Sequence, residues 1–136
     1  MAPRHKYADA SVAIATSLDA QRISQLCEEA AKQSETLHSL VRLEEVQPAR
    51  LVYSVRSRMT GGFVEFMTFE VTLRESDGRR DVRTRLLRYK VKRQWPMPWQ
   101  MVSWVIYRNF MYALEAGVRE VDPGAKTNVV ELVGAS

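Results

Sequence analysis

The sequence has one cysteine and two histidines, which leaves few side chains for metal or nucleophile chemistry. Cys27 has no partner for an intramolecular disulfide. It falls in a helical stripe with Ile23, Leu26, Ala30 and Ala31, on a predicted helix that Ser17 or Asp19 can cap, so we interpret it as a buried small hydrophobe. His5 and His38 do not occur in a spaced cluster with cysteine or carboxylate, so no metal ligand is predicted. Glycine-rich phosphate loops and nucleophile elbows are also missing. An enzyme is therefore the less favoured class, and no catalytic residue or cofactor is predicted.

The length of 136 residues fits a single domain, and 46% hydrophobic with 26% charged residues is typical of a globular chain. We predict one domain over residues 1–136, with residues 1–7 and 125–136 mobile or peripheral. The first residues lack the long apolar stretch and cleavage site of a secretory signal. The expected location is therefore the cytoplasm.

Hydrophobic periodicity predicts alternating elements along the chain, because strands repeat every two residues and helices every 3.6. In chain order the elements are a strand at 8–16, a helix at 17–33, strands at 36–46, 50–59, 60–73 and 80–95, and a long helix from Pro98 to just before "VDPG". Pro98 suits the first position of a helix because its missing N–H needs no partner there.

The strand at 80–95 changes the face of its apolar residues partway along. Val82, Thr84 and Leu86 share one parity, whereas Leu87, Tyr89 and Val91 share the other. One extra residue in the strand reconciles the two halves, so a β-bulge is predicted between Leu86 and Leu87.

This order predicts an α+β fold, in which an antiparallel sheet of about four to six strands is covered by helices on one face. From "SVAIATSLDAQRISQLCEEA" through "WVIYRNFMYALEAGV", the chain resembles the START-like superfamily, also described as helix-grip or SRPBCC-type. The resemblance implies a curved sheet around a long C-terminal helix, with an apolar ligand between them. An enzyme of the cyclase or aromatase kind is implied by this resemblance alone. A TATA-binding-protein-like fold has a similar order and is the alternative.

The segment "WPMPWQMVSWVIYRNF", residues 95–110, raises the question of a membrane anchor. A span of about 20 residues from position 95 would contain Pro96, Pro98, Arg108 and Asn109, so no transmembrane helix is predicted. Peripheral contact with an anionic bilayer is kept as an alternative. A helix that packs against the sheet is the favoured interpretation, because the apolar residues of this region recur at helical spacing. These residues are Tyr107, Phe110, Met111, Leu114, Val118 and Val121. The aromatic start of this helix is apolar on several sides and needs a cover.

Our first hypothesis is a noncatalytic domain that binds an apolar or amphipathic small molecule between the sheet and the C-terminal helix. Such pockets combine apolar walls with a few polar groups. The residues proposed for this site are Glu65, Met67, Phe69, Tyr89, Trp104 and Arg108. Glu65 shares parity with the apolar residues of its strand, which makes it a candidate polar anchor; the alternative is that it lies at a frayed strand start and faces solvent.

The alternatives are a homodimer through the aromatic start of the C-terminal helix, or a basic sheet face that binds an anionic partner such as nucleic acid. Residues 50–93 contain twelve Lys or Arg against five Asp or Glu, so the positive charge is local. The proposed patch is Arg56, Arg58, Arg83 and Arg85. No aromatic pattern of a known RNA-binding signature accompanies it, so a solvated face that discourages edge pairing is the favoured interpretation.

Overall fold

A computed structural model describes residues 5–92 and 100–131 of the chain. The strands are β1 (Ser11–Thr16), β2 (Ser39–Gln47), β3 (Arg50–Ser57), β4 (Glu65–Ser76), β5 (Arg79–Tyr89), β6 (Val91–Lys92), β7 (Gln100–Met101) and β8 (Lys126–Val130). The helices are α1 (Ala20–Ser34), between β1 and β2, and α2 (Trp104–Val121), between β7 and β8.

Six strands form one antiparallel sheet in the order β2-β3-β4-β5-β1-β8, and β6 pairs with β7 in a small ribbon. Buried side chains of α1 and α2 pack with those of one sheet face, which we call the inner face; the opposite face is the outer face. The α+β prediction, with an antiparallel sheet and a C-terminal helix, is confirmed, and the arrangement is consistent with a helix-grip-like fold. The TATA-binding-protein-like alternative stays a prediction.

Helix α1 begins where the sequence provides a cap. The Arg22 N–H donates to Asp19 Oδ1 at 2.8 Å and satisfies one of the free amides of the first turn. The predicted apolar stripe is buried and consists of Ile23, Leu26, Cys27, Ala30 and Ala31. This stripe fixes the helix face that lies on the sheet and on α2.

Extra residues in three strands, at Glu44 of β2, Phe66 of β4 and Leu87 of β5, set which side chains reach each face of the sheet. In β5, Thr68 of β4 faces Arg88 and Phe69 faces Leu86, so Leu87 is the extra residue and the predicted bulge is confirmed. In β4, Val55 of β3 faces Met67 and Arg56 faces Glu65, so Phe66 is a second extra residue. Each bulge reverses the face of the residues beyond it.

The middle of the core is aromatic. Phe69 lies 5.0 Å from Tyr107 and 4.8 Å from Phe110 between ring centroids, and Tyr53 lies 5.5 Å from both Phe69 and Phe110. The hydroxyl of Tyr107 donates to the carbonyl oxygen of Ala10 at 2.7 Å, and burial raises the pKa of this hydroxyl. The predicted stripe of α2 is buried from Tyr107 to Val118, whereas Val121 is exposed.

The predicted start of the C-terminal helix is wrong. Helix α2 begins at Trp104, because Gln100 and Met101 pair with Lys92 and Val91, and the Val102 N–H donates to the carbonyl oxygen of Lys90 at 2.9 Å. A backbone that is paired in this way cannot also be helical. Pro98 itself lies outside the described residues.

Cys27 gives a first test of this packing. The thiol is fully buried, and desolvation raises its pKa to about 12, so the reactive thiolate is suppressed at neutral pH. We expect no release of thionitrobenzoate when the native protein is mixed with Ellman's reagent, and one equivalent after unfolding in guanidinium. Fast labelling of the native protein would contradict the buried position of α1.

Asp122 gives a test of how α2 joins the first strand. Asp122 Oδ2 accepts from Thr16 Oγ1 at 2.6 Å and from the Ser17 N–H at 3.2 Å, and these bonds lower the pKa of the carboxyl. A carboxyl group whose pKa is lower in the folded state stabilises the fold at pH values above its unfolded pKa of about 3.9. This contribution is lost as the pH falls through the folded-state pKa. Asp122→Asn should therefore lower Tm at neutral pH and flatten its fall on acidification.

The measurement is Tm by circular dichroism between about pH 6 and pH 3. Glu29→Gln, an exposed substitution on α1 that also removes one carboxylate, is the control and should keep the wild-type profile. Equal profiles for wild type and Asp122→Asn would refute the assignment.

Candidate functional site

The inner face of the sheet is not covered completely at the β2 edge. Leu43 and Val46 of β2 have inner-face partners in β3, Tyr53 and Leu51, yet they remain 46% and 66% exposed. Helix α1 lies on this side of the sheet, whereas α2 lies towards β1 and β8. The exposed apolar side chains of β2 therefore border an open space beside α1.

This space is a groove of about 390 Å³, which we call the α1 groove. Its apolar lining is formed by Ala31, Val41, Leu43, Val46, Leu51 and Tyr53, and its polar rim by Gln21, Ser24, Gln25, Glu28 and Lys32. On the rim, Lys32 Nζ lies 3.4 Å from Glu28 Oε1, and both side chains are largely exposed. Such an exposed pair contributes little free energy, so its charges are accessible to a ligand.

Four of the six residues predicted for a ligand site lie together at the start of α2. Met67 faces Tyr89 across the sheet, and both belong to the core or pack against it, as do Phe69 and Trp104. Met67 and Phe69 are 1% and 0% exposed, so they are part of the packed interior around α2.

Trp104 is covered by the N-terminal segment of the chain itself. The Tyr7 ring stacks on the Trp104 ring with centroids 4.2 Å apart and planes 4° apart. His5 lies next to this pair, where its backbone N–H donates to the Tyr89 hydroxyl at 3.2 Å. The pKa of the His5 imidazole is lowered, mainly by burial and to a smaller extent by the charge of Lys6. The sequence predicted the need for a cover but did not identify Tyr7. The homodimer through this end of α2 stays a prediction.

Glu65 and Arg108 lie apart from these four residues. The Phe66 bulge places Glu65 on the outer face, where its Oε1 accepts from Thr68 Oγ1 at 2.8 Å and lies 3.4 Å from Arg88 Nη2. Arg108 is exposed on α2 and forms an ion pair with Glu131. The shared parity of Glu65 with Met67 and Phe69 therefore does not bring it to the inner face.

The outer face carries a network of ion pairs between arginines and carboxylates, which we call the lattice. Glu70 is buried there, where its two oxygens bond to Arg50 Nε and, at 2.9 Å, to Arg85 Nη2. A second cluster joins Arg56 to Glu44 at 2.9 Å and to Glu65 at 3.6 Å. Because arginine side chains extend over Glu70 and Thr68, these polar residues are shielded although neither α1 nor α2 lies over them.

The structure separates the predicted basic patch. Arg83 and Arg85 lie on the outer face of β5, and Arg56 lies on the same face of β3, beyond the intervening strand β4. Arg58 follows β3 and turns away, donating to the carbonyl oxygen of Thr36 at 2.8 Å and pairing with Glu35.

Sequence reasoning missed two features of these surfaces. Arg88 joins Arg83 and Arg85 on the outer face because of the Leu87 bulge, which the change of parity already indicated. The α1 groove had a weaker signal: Val41 and Leu43 alternate as apolar residues, but alternation does not reveal whether a helix covers them.

Within residues 5–92 and 100–131, no group of three or more His, Cys, Asp or Glu side chains is placed to hold a metal ion. In the same part of the chain, no helix combines the length and apolar character needed to cross a membrane.

Comparison with known proteins identifies no family. No protein-family model matches the sequence, and no curated protein matches it. Among solved structures, the crystal structure of adenosylmethionine decarboxylase from Aquifex aeolicus VF5 is similar over 94% of this chain and 92% of its own, with 12% identity and a TM-score of 0.40. A similarity at this level carries no inference about function.

Glu70 is the residue through which the lattice can be tested. Glu70→Gln removes the charge shared by Arg50 and Arg85 in a buried position, so we expect a loss of about 2 kcal/mol in the free energy of unfolding. Urea unfolding measures this loss. Glu75→Gln, at an exposed carboxylate 3.8 Å from Arg80, should cost less than about 0.5 kcal/mol. Equal effects would show that the lattice contributes no more than an ordinary surface pair.

Proposed function

We propose that this protein is a noncatalytic binding domain that holds an apolar or amphipathic molecule in the α1 groove. The exposed apolar face of β2 is the observation that carries the proposal, because Leu43 and Val46 point to the inner side without a helix over them. Apolar surface at the edge of a groove is a common mark of a binding site.

The dimensions support a ligand of modest size. A groove of about 390 Å³ lies in the range of small-molecule sites, which is roughly 300 to 1,000 Å³. Its floor consists of Leu51 and Tyr53, which the inner face holds rigidly within the core cluster. A ligand would therefore meet a preformed surface on one side and the flank of α1 on the other.

The rim supports an amphipathic ligand with an anionic end. Lys32 is the cation on the rim, and its exposed pair with Glu28 is weak enough to be exchanged for a ligand carboxylate. Gln21 and Gln25 offer amide hydrogen bonds along the same helix face. The apolar body would then lie on Leu43 and Val46.

The test uses a dansylated long-chain fatty acid, whose fluorescence rises when it leaves water. The double variant Leu43→Gln and Val46→Gln should weaken binding by about thirtyfold, since each substitution loses on the order of 1 kcal/mol of apolar contact. Both side chains are partly exposed, so the fold should survive, which circular dichroism checks.

The matched control is Leu37→Gln with Phe63→Gln, two exposed apolar residues outside the groove lining. This control should bind the probe like wild type. The proposal fails if wild type does not bind the probe, or if the control loses as much affinity as the groove variant. Lys32→Gln should weaken the binding of the fatty acid but not the binding of its uncharged methyl ester. This comparison separates the contribution of the anionic end from that of the apolar body.

A further inference from the structure

The outer face presents three arginines in one line along β5. Arg83, Arg85 and Arg88, which we call the arginine row, face Thr72, Glu70 and Thr68 of β4, and these partners are two residues apart in each case. Residues two apart on a strand lie about 6.6 to 6.8 Å apart on one face. The Leu87 bulge is required for this line, because without it Arg88 would point to the core.

At two of its three positions the row exposes the positive charge and shields the negative one. Arg85 is 69% exposed whereas its partner Glu70 is 6% exposed, and Arg88 is 70% exposed whereas Glu65 is 29% exposed. At Arg85 and Arg88, an incoming group therefore meets a guanidinium group before it meets a carboxylate, whereas Asp81, the partner of Arg83, is 36% exposed. Each guanidinium has five N–H donors, and the bonds to the chain's own carboxylates use only some of them.

There is space beside the row. A concavity of about 420 Å³ is lined by Arg83 and Arg85, by the carboxylates of Asp9 and Glu70, and by Ser11 of β1 and Thr72 of β4, among other residues. Across the row, β1 places Ala13 opposite Arg83, so a small side chain leaves the arginine stem uncovered there. An extended chain could lie along this face without displacing a bulky residue.

We propose that the arginine row is a docking surface for an extended acidic peptide segment of a partner protein. In an extended peptide every second side chain faces the same way, about 6.6 to 6.8 Å apart, so carboxylates at alternate positions match the spacing of the arginines. The chain already forms arginine–carboxylate pairs at each position of the row, with Asp81, Glu70 and Glu65. Carboxylate is thus the anion that these guanidinium groups take in this geometry.

Nucleic acid fits the same face less well. Single-stranded nucleic acid is usually held by aromatic side chains on which bases stack. None of the described strand residues that the register places on the outer face of β3, β4, β5, β1 and β8 is aromatic. Charge complementarity without a stacking platform favours the peptide.

The test compares two surfaces with the same change in net charge. The row variant is Arg83→Gln, Arg85→Gln and Arg88→Gln. In this variant Glu70 keeps Arg50 and Glu65 keeps Arg56, so both carboxylates retain a partner. The control variant is Arg22→Gln, Arg108→Gln and Arg119→Gln, all on the helices. Urea unfolding verifies that both triple variants fold.

The probe is a fluorescein-labelled decapeptide of alternating glutamate and threonine, measured by fluorescence anisotropy at low salt and at about 0.15 M salt. We expect binding that weakens with salt, a loss of about tenfold in the row variant, and less than a twofold change in the control. A decapeptide with its glutamates in one block should bind more weakly than the alternating one.

Four outcomes would overturn the proposal. These are no binding of the alternating peptide at low salt, equal losses in the two triple variants, equal affinity for the blocked peptide, and tighter, row-dependent binding of a labelled uridine decamer. The last outcome would make the face a nucleic-acid site. None of them bears on the α1 groove, because the row and the groove lie on opposite faces of the sheet.

Discussion

Two helices are too narrow to cover six strands, and the candidate site of this protein depends on that mismatch. Six strands at about 4.8 Å spacing span roughly 24 Å, whereas two packed helices cover about 20 Å. The pair is held against the centre of the sheet by the aromatic packing of Phe69, Tyr107 and Phe110. The part of the inner face that the helices leave uncovered therefore lies at the sheet edge. At β2 the uncovered side chains are apolar. A helix pair centred on β3 would close the α1 groove and expose β1 instead.

The bulges at Phe66 and Leu87 place apolar side chains on the inner face and charged side chains on the outer face. Beyond Leu87 the inner residue is Tyr89 and the outer residue is Arg88; on β4, the Phe66 bulge moves Glu65 outward beside Arg56 and Arg88. Together the two bulges keep these arginine and carboxylate side chains on the outer face. Burying any of these charges beneath a helix would cost several kcal/mol unless it were paired. The lattice is thus a consequence of the strand register. Its long arginine side chains shield the outer face, as a layer of helices shields the inner face.

The sequence predicted those parts of the fold that depend on local pattern. The stripe from Ile23 to Ala31 predicted α1, with a cap at Ser17 or Asp19, of which the structure uses Asp19, and the parity change at Leu86 located a bulge. Three features were not predictable in this way. Phe63, Met67 and Phe69 keep the same parity across Phe66, so no parity change marked its bulge. The start of α2 depends on pairing between Met101 and Val91, which a local rule about Pro98 does not contain. Tyr7 reaches Trp104 from 97 positions away, and such contacts leave no trace in periodicity.

The two candidate surfaces are physically independent, and this has a consequence for how the domain could work. The α1 groove lies on the inner side of β2 and β3, and the arginine row lies on the outer side of β5, so no side chain belongs to both. Effects of substitutions that are well separated and share no partners usually add. Under the two proposals, a small molecule in the α1 groove and a protein segment on the arginine row would therefore not compete for the same residues. Coupling between them would require a change in the sheet itself, and the buried residues Tyr53, Phe69 and Val71 that join its central strands leave little freedom for one.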